Sequence, residues 1–119
     1  MKIHRTTYRV IYGDTDAMGV VYNSNYLRLF EIGRNEFFRD LDLPYRGIEG
    51  RGLYLPVSET FCKFVSPARY DDLLEIETRL DTKVRAGLKF DYQIFKSDVL
   101  IAKGYTKHVF VNSEGKVVR

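Results

Sequence analysis

Apolar and polar residues alternate through most of the second half of this chain, and that alternation predicts strands. From Leu73 to Lys83, Leu74, Ile76, Thr78 and Leu80 face one way, and Glu75, Glu77 and Arg79 the other. From Leu88 to Lys96 the same period sets Leu88, Phe90, Tyr92 and Ile94 against Lys89, Asp91 and Gln93. Val99 to Val111 extends as a last long strand, Leu53 to Val65 as an earlier one interrupted near Pro56, and Thr7 to Tyr12 as the first. The short turns Arg85-Ala86-Gly87 and Ser97-Asp98 suit antiparallel hairpins with one buried face.

Between the first strand and the rest the period changes. Tyr26, Phe30, Gly33, Phe37 and Leu41 recur at spacings of three and four, which predicts a helix over Asn25 to Asp40. Leu27, Leu29, Ile32 and Phe38 widen the stripe beyond a single face, so the helix is expected to be wrapped rather than docked. Gly33 costs about 1 kcal/mol of helix propensity relative to Ala, and a close backbone approach to a sheet would compensate. Pro44, Gly47, Gly50 and Gly52 then mark an irregular connection. A single helix laid across a curved sheet of about five antiparallel strands satisfies this order. The fold class is α+β, with residues 1–119 as one domain.

Composition narrows the function classes. The 119 residues are 45% hydrophobic and 29% charged, which is ordinary for a globular protein, but 9 Tyr and 8 Phe are many for this size. So much aromatic bulk requires a broad core or an interface. The net charge of +3 comes from basic residues scattered among acids, not gathered in the stripe that nucleic acid selects; phosphates on a small ligand suit it as well. The lone Cys62 allows no intrachain disulfide and reads as a small buried hydrophobe. No apolar run reaches the ~20 residues of a membrane span, and the N-terminus lacks an apolar leader stretch. A cytoplasmic protein is expected.

The chemistry concentrates in Gly13-Asp14-Thr15-Asp16-Ala17-Met18-Gly19, a turn carrying two carboxylates just ahead of the helix. Asn23-Ser24-Asn25 offers side-chain oxygens that can cap the first helical amides. Amides at a helix start can hold a developing oxyanion, and a nearby carboxylate can attack an acyl carbon or activate water. Acyl transfer is therefore permitted, although Asp is also common in turns for purely structural reasons. A calcium loop fits poorly, because Met18 stands where an oxygen ligand is wanted and Asn25 where a bidentate Glu would close the site. Zinc fits worse, with His4, Cys62 and His108 dispersed.

The stretch Gly13 to Tyr26, continued by Phe30-Glu31 and Arg34, resembles the 4-hydroxybenzoyl-CoA thioesterase family of hotdog proteins, nearest its Tol–Pal-associated acyl-CoA thioesterase branch. Tyr70-Asp71-Asp72-Leu73-Leu74-Glu75-Ile76-Glu77-Thr78 is a second match. The resemblance implies a five-stranded sheet around the helix, a homodimer or homotetramer, and acyl-CoA hydrolysis at the subunit interface without metal or organic cofactor. It places the catalytic carboxylate at Asp16 and the carbonyl-polarising amide at Asn23, where relatives carry Tyr or His. Asp14 falls at a turn-stabilising position. Tyr22, Ser24 and Asn25 become substrate contacts, and Lys83 and Arg85 candidates for the CoA phosphates. The chain ends at Lys116-Val117-Val118-Arg119, where many relatives add a short helix. The alternative within the same groove is a non-catalytic module holding acyl-CoA or an acyl-carrier protein. A hotdog dehydratase would instead need His108 beside a carboxylate.

Overall fold

The computed structural model describes residues 3–41, 50 and 52–118. Five strands, β1 (Ile3–Arg9), β2 (Val57–Phe64), β3 (Leu73–Leu80), β4 (Leu88–Lys96) and β5 (Val99–His108), form one antiparallel sheet in the order β1-β3-β4-β5-β2. The helix α1 spans Asn25–Asp40, as the periodicity predicts, and packs against β1, β3 and β4. The connection through Pro44 and Gly47 lies outside the described residues.

Alternation decides which face of the sheet meets the helix. Leu74, Ile76 and Thr78 of β3 and Phe90, Tyr92 and Ile94 of β4 are buried beneath α1, while their neighbours point to the outer face. From the helix come Tyr26, Leu29, Phe30, Phe37 and Phe38. Phe30 stacks on Tyr92 with ring centres 4.3 Å apart, and Phe37 and Phe38 meet Phe90 edge-on. These rings account for much of the core's area. At Gly33 the helix backbone lies close against the sheet: a Cβ there would lie 2.6 Å from Thr78 Oγ1 and 2.7 Å from Ile76 Cγ2.

The element ends depart from the sequence reading in instructive ways. β1 starts at Ile3 and stops at Arg9, because the chain folds into a 3-10 turn at Tyr12–Asp14 that leaves Ile11 and Tyr12 exposed. β2 begins only after Pro56, which has no N–H for the ladder. β3 ends at Leu80 rather than Lys83, since the Asp81 carboxylate accepts the Lys83 amide and turns the chain. Ser24 caps the helix without any side-chain hydrogen bond, so the expected side-chain cap is absent. The helix is also less enclosed within one chain than its stripe suggests, for Leu27 and Leu41 are exposed.

Candidate active site

The two carboxylates of the turn have opposite surroundings. Asp14 is 4% exposed, and its Oδ2 accepts from the Tyr8 hydroxyl at 2.7 Å and the Ile11 amide at 3.0 Å. Its Oδ1 pairs with the Arg28 guanidinium, which also donates to Tyr8 Oη at 3.2 Å. Both oxygens are thus occupied by donors that hold the turn against β1 and the first turn of α1.

Asp16 is half-buried, in a short hairpin where Thr15 bridges Val21. Its amide donates to the Val20 carbonyl at 2.9 Å, and its Oδ1 accepts the amides of Met18 at 2.8 Å and Val20 at 3.3 Å. Gly19, at φ +78°, closes this loop. No protein donor among the described residues reaches Oδ2. The carboxylate is therefore oriented by one oxygen and open at the other.

The return arm of this hairpin runs directly into α1. Tyr22 donates its amide to the Asp14 carbonyl at 2.9 Å, Asn25 to the Tyr22 carbonyl at 2.9 Å, and Tyr26 to the Asn23 carbonyl at 3.2 Å. The amides of Asn23 and Ser24 find no acceptor among the described residues, and both residues are exposed. These two amides precede the first turn of a 16-residue helix and lie at its positive end. Asn25 serves differently from the sequence reading: its side-chain amide donates to the Asp14 carbonyl at 2.8 Å and ties the helix start to the turn.

Lys83 and Arg85 stand away from this loop. The Asp16 hairpin abuts the start of β3, through the Val20–Arg69 bridge and the Val10 amide on the Asp72 carbonyl. The Lys83–Arg85 turn follows the far end of that eight-residue strand, about 26 Å on at 3.3 Å per residue. Within one chain the structure does not bring these cations to Asp16. Lys83 instead borders a 530 Å³ hollow on the outer face of the sheet with Phe61 and Tyr105.

Residues 10–119 match the thioesterase-like superfamily. The chain belongs to that family. The acyl-CoA thioesterase YbgC of Haemophilus influenzae is 33% identical over 100 residues, 83% of this chain and 74% of its own length. A DHNA-CoA thioesterase from Staphylococcus aureus superposes with TM-score 0.94 at 26% identity, covering 100% of this chain and 81% of that one. The 4-hydroxybenzoyl-CoA thioesterase of Pseudomonas sp. strain CBS-3 gives 0.87 at 25% identity, covering 100% and 91%. The likeness to YbgC fits the Tol–Pal-associated branch, and the fold of this thioesterase is the hotdog.

Sequence reasoning missed two supporting residues of the candidate site, Tyr8 and Arg28. A signal for Arg28 existed: a cation in the first turn of a helix opposes the helix dipole, so it needs an acid nearby, and Asp14 supplies it. Tyr8 carried no such cue. His108 sits in a buried chain of hydrogen bonds that includes no carboxylate among the described residues. Its Nδ1 lies 2.9 Å from the Leu55 carbonyl and its Nε2 2.8 Å from Thr106 Oγ1, which is 2.7 Å from Tyr92 Oη. Arg34 donates to Tyr92 Oη at 3.0 Å and closes the chain. Burial pushes the imidazole below its ordinary value, despite the opposing bond to Leu55, so His108 is neutral near pH 7. Among the described residues neither ring nitrogen meets the carboxylate that a dehydratase pairing would need. Cys62 is half-buried, its thiol pushed up to about 11 by burial.

Proposed function

We propose that this thioesterase hydrolyses acyl-CoA, with Asp16 as the reacting carboxylate and the Asn23 and Ser24 amides as the oxyanion site. The observation that carries the reading is the pairing of an open Asp16 Oδ2 with two unpaired helix-start amides in one short hairpin-to-helix segment. As nucleophile, Asp16 adds to the acyl carbon, the C–S bond breaks, the CoA thiolate leaves and is protonated, and water opens the resulting anhydride. As general base, Asp16 takes a proton from the attacking water and returns it to the leaving thiolate. In both routes charge gathers on the carbonyl oxygen, where preorganised amides stabilise it by about 3 kcal/mol each. Tyr22, exposed next to these amides in the chain, would meet the thioester in this reading.

The working unit in this reading is a homodimer or a larger homo-oligomer. Among the described residues β2 lies at the edge of the sheet with one side of its ladder unpaired, and its Val57, Phe61 and Phe64 are 47–48% exposed, as is Leu27 at 42%. An open apolar edge of this kind invites a second copy. A second copy also offers a way for Lys83 and Arg85 to reach CoA phosphates near Asp16 of a neighbour, which they cannot do within one chain. A reducing, cytoplasmic setting suits the single thiol; among the described residues no helix is long and apolar enough to cross a membrane.

Asp16→Asn tests the assignment. The Asn oxygen can still accept the Met18 and Val20 amides, so the loop is retained while the reacting carboxylate is lost. Turnover of acyl-CoA is expected to fall at least ~100-fold. Near-normal turnover in the folded variant would reject Asp16.

A further inference from the structure

Two hollows of about 360 and 300 Å³ flank the face of α1 that looks toward β2, and they share Glu31, Arg34 and Val57. The first also touches Leu27, in the first turn of the helix, so together they follow α1 from its N-terminal end toward Asn35. An acyl group whose carbonyl lies at the Asn23 and Ser24 amides would run along this path. Arg34 stands ten residues beyond Ser24, about 15 Å along the axis, and helical side chains lean back toward the N-terminus, which shortens the gap.

Arg34 is held for such a role. One N–H is fixed on Tyr92 Oη, and Tyr92 is fixed in turn by Thr106, His108 and the Leu55 carbonyl. With His108 neutral the protons of this chain all run one way: His108 donates to Leu55, Thr106 to His108, Tyr92 to Thr106 and Arg34 to Tyr92. Only a donor fits at the Tyr92 end, so the guanidinium is held there while its other N–H groups meet no acceptor among the described residues. Among the described residues no carboxylate lies within ion-pair distance of Arg34, not even Glu31 one turn away. A half-buried guanidinium with unused donors and no ion-pair partner among the described residues favours an acceptor supplied by a ligand.

We propose that Arg34 is a specificity-determining residue that selects acyl groups carrying an oxygen acceptor, a carboxylate or a hydroxyl, at the end remote from the thioester. The inference rests on the acyl-CoA reading above, because it takes the carbonyl to lie at the helix start. The test compares kcat/KM for three acyl-CoAs of matched medium length, with a plain, an ω-hydroxy and an ω-carboxy terminus. The intact enzyme is expected to favour at least one polar-tipped substrate over the plain one by about 10-fold or more, the penalty for leaving a polar site group unpaired being at least that large. Arg34→Met should bring the three values to within about twofold of one another. Arg34→Lys, which keeps the charge but loses the fork, should give an intermediate ratio and serves if the Met variant does not fold. The hydroxy and carboxy arms distinguish the two acceptors. Equal or better hydrolysis of the plain substrate by the intact enzyme, or a preference that survives in the Arg34 variants, would overturn the proposal. Asp16→Asn is scored separately on the same three substrates: full activity on all of them removes the Asp16 mechanism without touching the ratio that Arg34 sets.

Discussion

Gly33→Ala pits helix propensity against packing, and the structure says which wins. On an exposed helix the change would stabilise by about 1 kcal/mol. Here the new methyl would stand 2.6 Å from Thr78 Oγ1 and 2.7 Å from Ile76 Cγ2, where carbon contacts relax to about 3.5–4.0 Å. Something must therefore retreat by about 1 Å. Thr78 and Ile76 are fully buried and β-branched, so neither can rotate out of the way cheaply. The helix must lift, or the strand must bend. Overpacking of this kind costs about 1–3 kcal/mol, and two simultaneous contacts put the cost at the upper end. The net expectation is a loss of about 2 kcal/mol, or a Tm lower by roughly 8 °C for a domain of this size.

Thr78→Ala provides the internal check. It removes one of the two colliding atoms, and with it a hydroxyl that finds no partner among the described residues. In the Gly33→Ala background it should cost at least about 1 kcal/mol less than in the parent, a coupling that a double-mutant cycle of denaturant melts can resolve. Rescue will be incomplete because Ile76 remains. A stabilised Gly33→Ala protein with no coupling to Thr78 would show that the helix has room to spare and that the close approach is not what selects glycine.

Asp14→Asn should destabilise the protein by about 2–4 kcal/mol, since a buried carboxylate with two neutral donors and a guanidinium is replaced by a group that carries its own donors; the range allows for Arg28 being 43% exposed. Asp16→Asn should change stability by less than about 1 kcal/mol, and equal losses in parallel melts would refute this division. The pH dependence follows from His108, whose folded-state value is lowered by burial. Protonation then favours the unfolded chain, so the stabilisation is complete above the ordinary value of about 6.5 and is lost as pH falls through the folded-state value. His108→Gln should lose this slope, so the Tm gap between parent and variant should narrow between pH 7.5 and 5; a widening gap would contradict the sign.

The fold was largely legible because its signals are local and periodic. The helix bounds follow from Tyr26, Phe30, Gly33 and Phe37, and β4 follows from strict alternation between Leu88 and Lys96. Boundaries failed where a side chain overrode the pattern: Asp14 pulled Ile11 and Tyr12 out of the first strand, and Asp81 ended the third before Lys83. The Asp16 turn was visible in sequence as a cluster of carboxylates. Its supports were not, because Tyr8 and Arg28 reach Asp14 from two other elements. Likewise, nothing local to Arg34 announces that Tyr92, 58 residues away, will anchor it. Lys83 and Arg85 illustrate the converse. A turn can be found from sequence, but its distance from another turn depends on the length and direction of the strand between them.

Asp14 and Asp16 are two residues apart with the same side chain, so whatever separates their roles must be environmental. A carboxylate with donors on both oxygens can neither attack nor accept a proton without breaking the turn it holds. Asp14 is in that position, with Tyr8, Ile11 and Arg28 taking both its oxygens and Asn25 its carbonyl. A carboxylate with no fixed donor would swing freely and forfeit orientation. Asp16 lies between these limits, steered through Oδ1 by its own loop amides and left open at Oδ2. The hairpin is rigid enough to do this because Asp14 fastens it to β1 and α1. The same fastening sets where the Asn23 and Ser24 amides stand relative to Asp16. The structural acid thereby positions both halves of the proposed acyl-transfer site, which is why Asp14→Asn should reduce turnover indirectly, together with stability, whereas Asp16→Asn should reduce turnover alone.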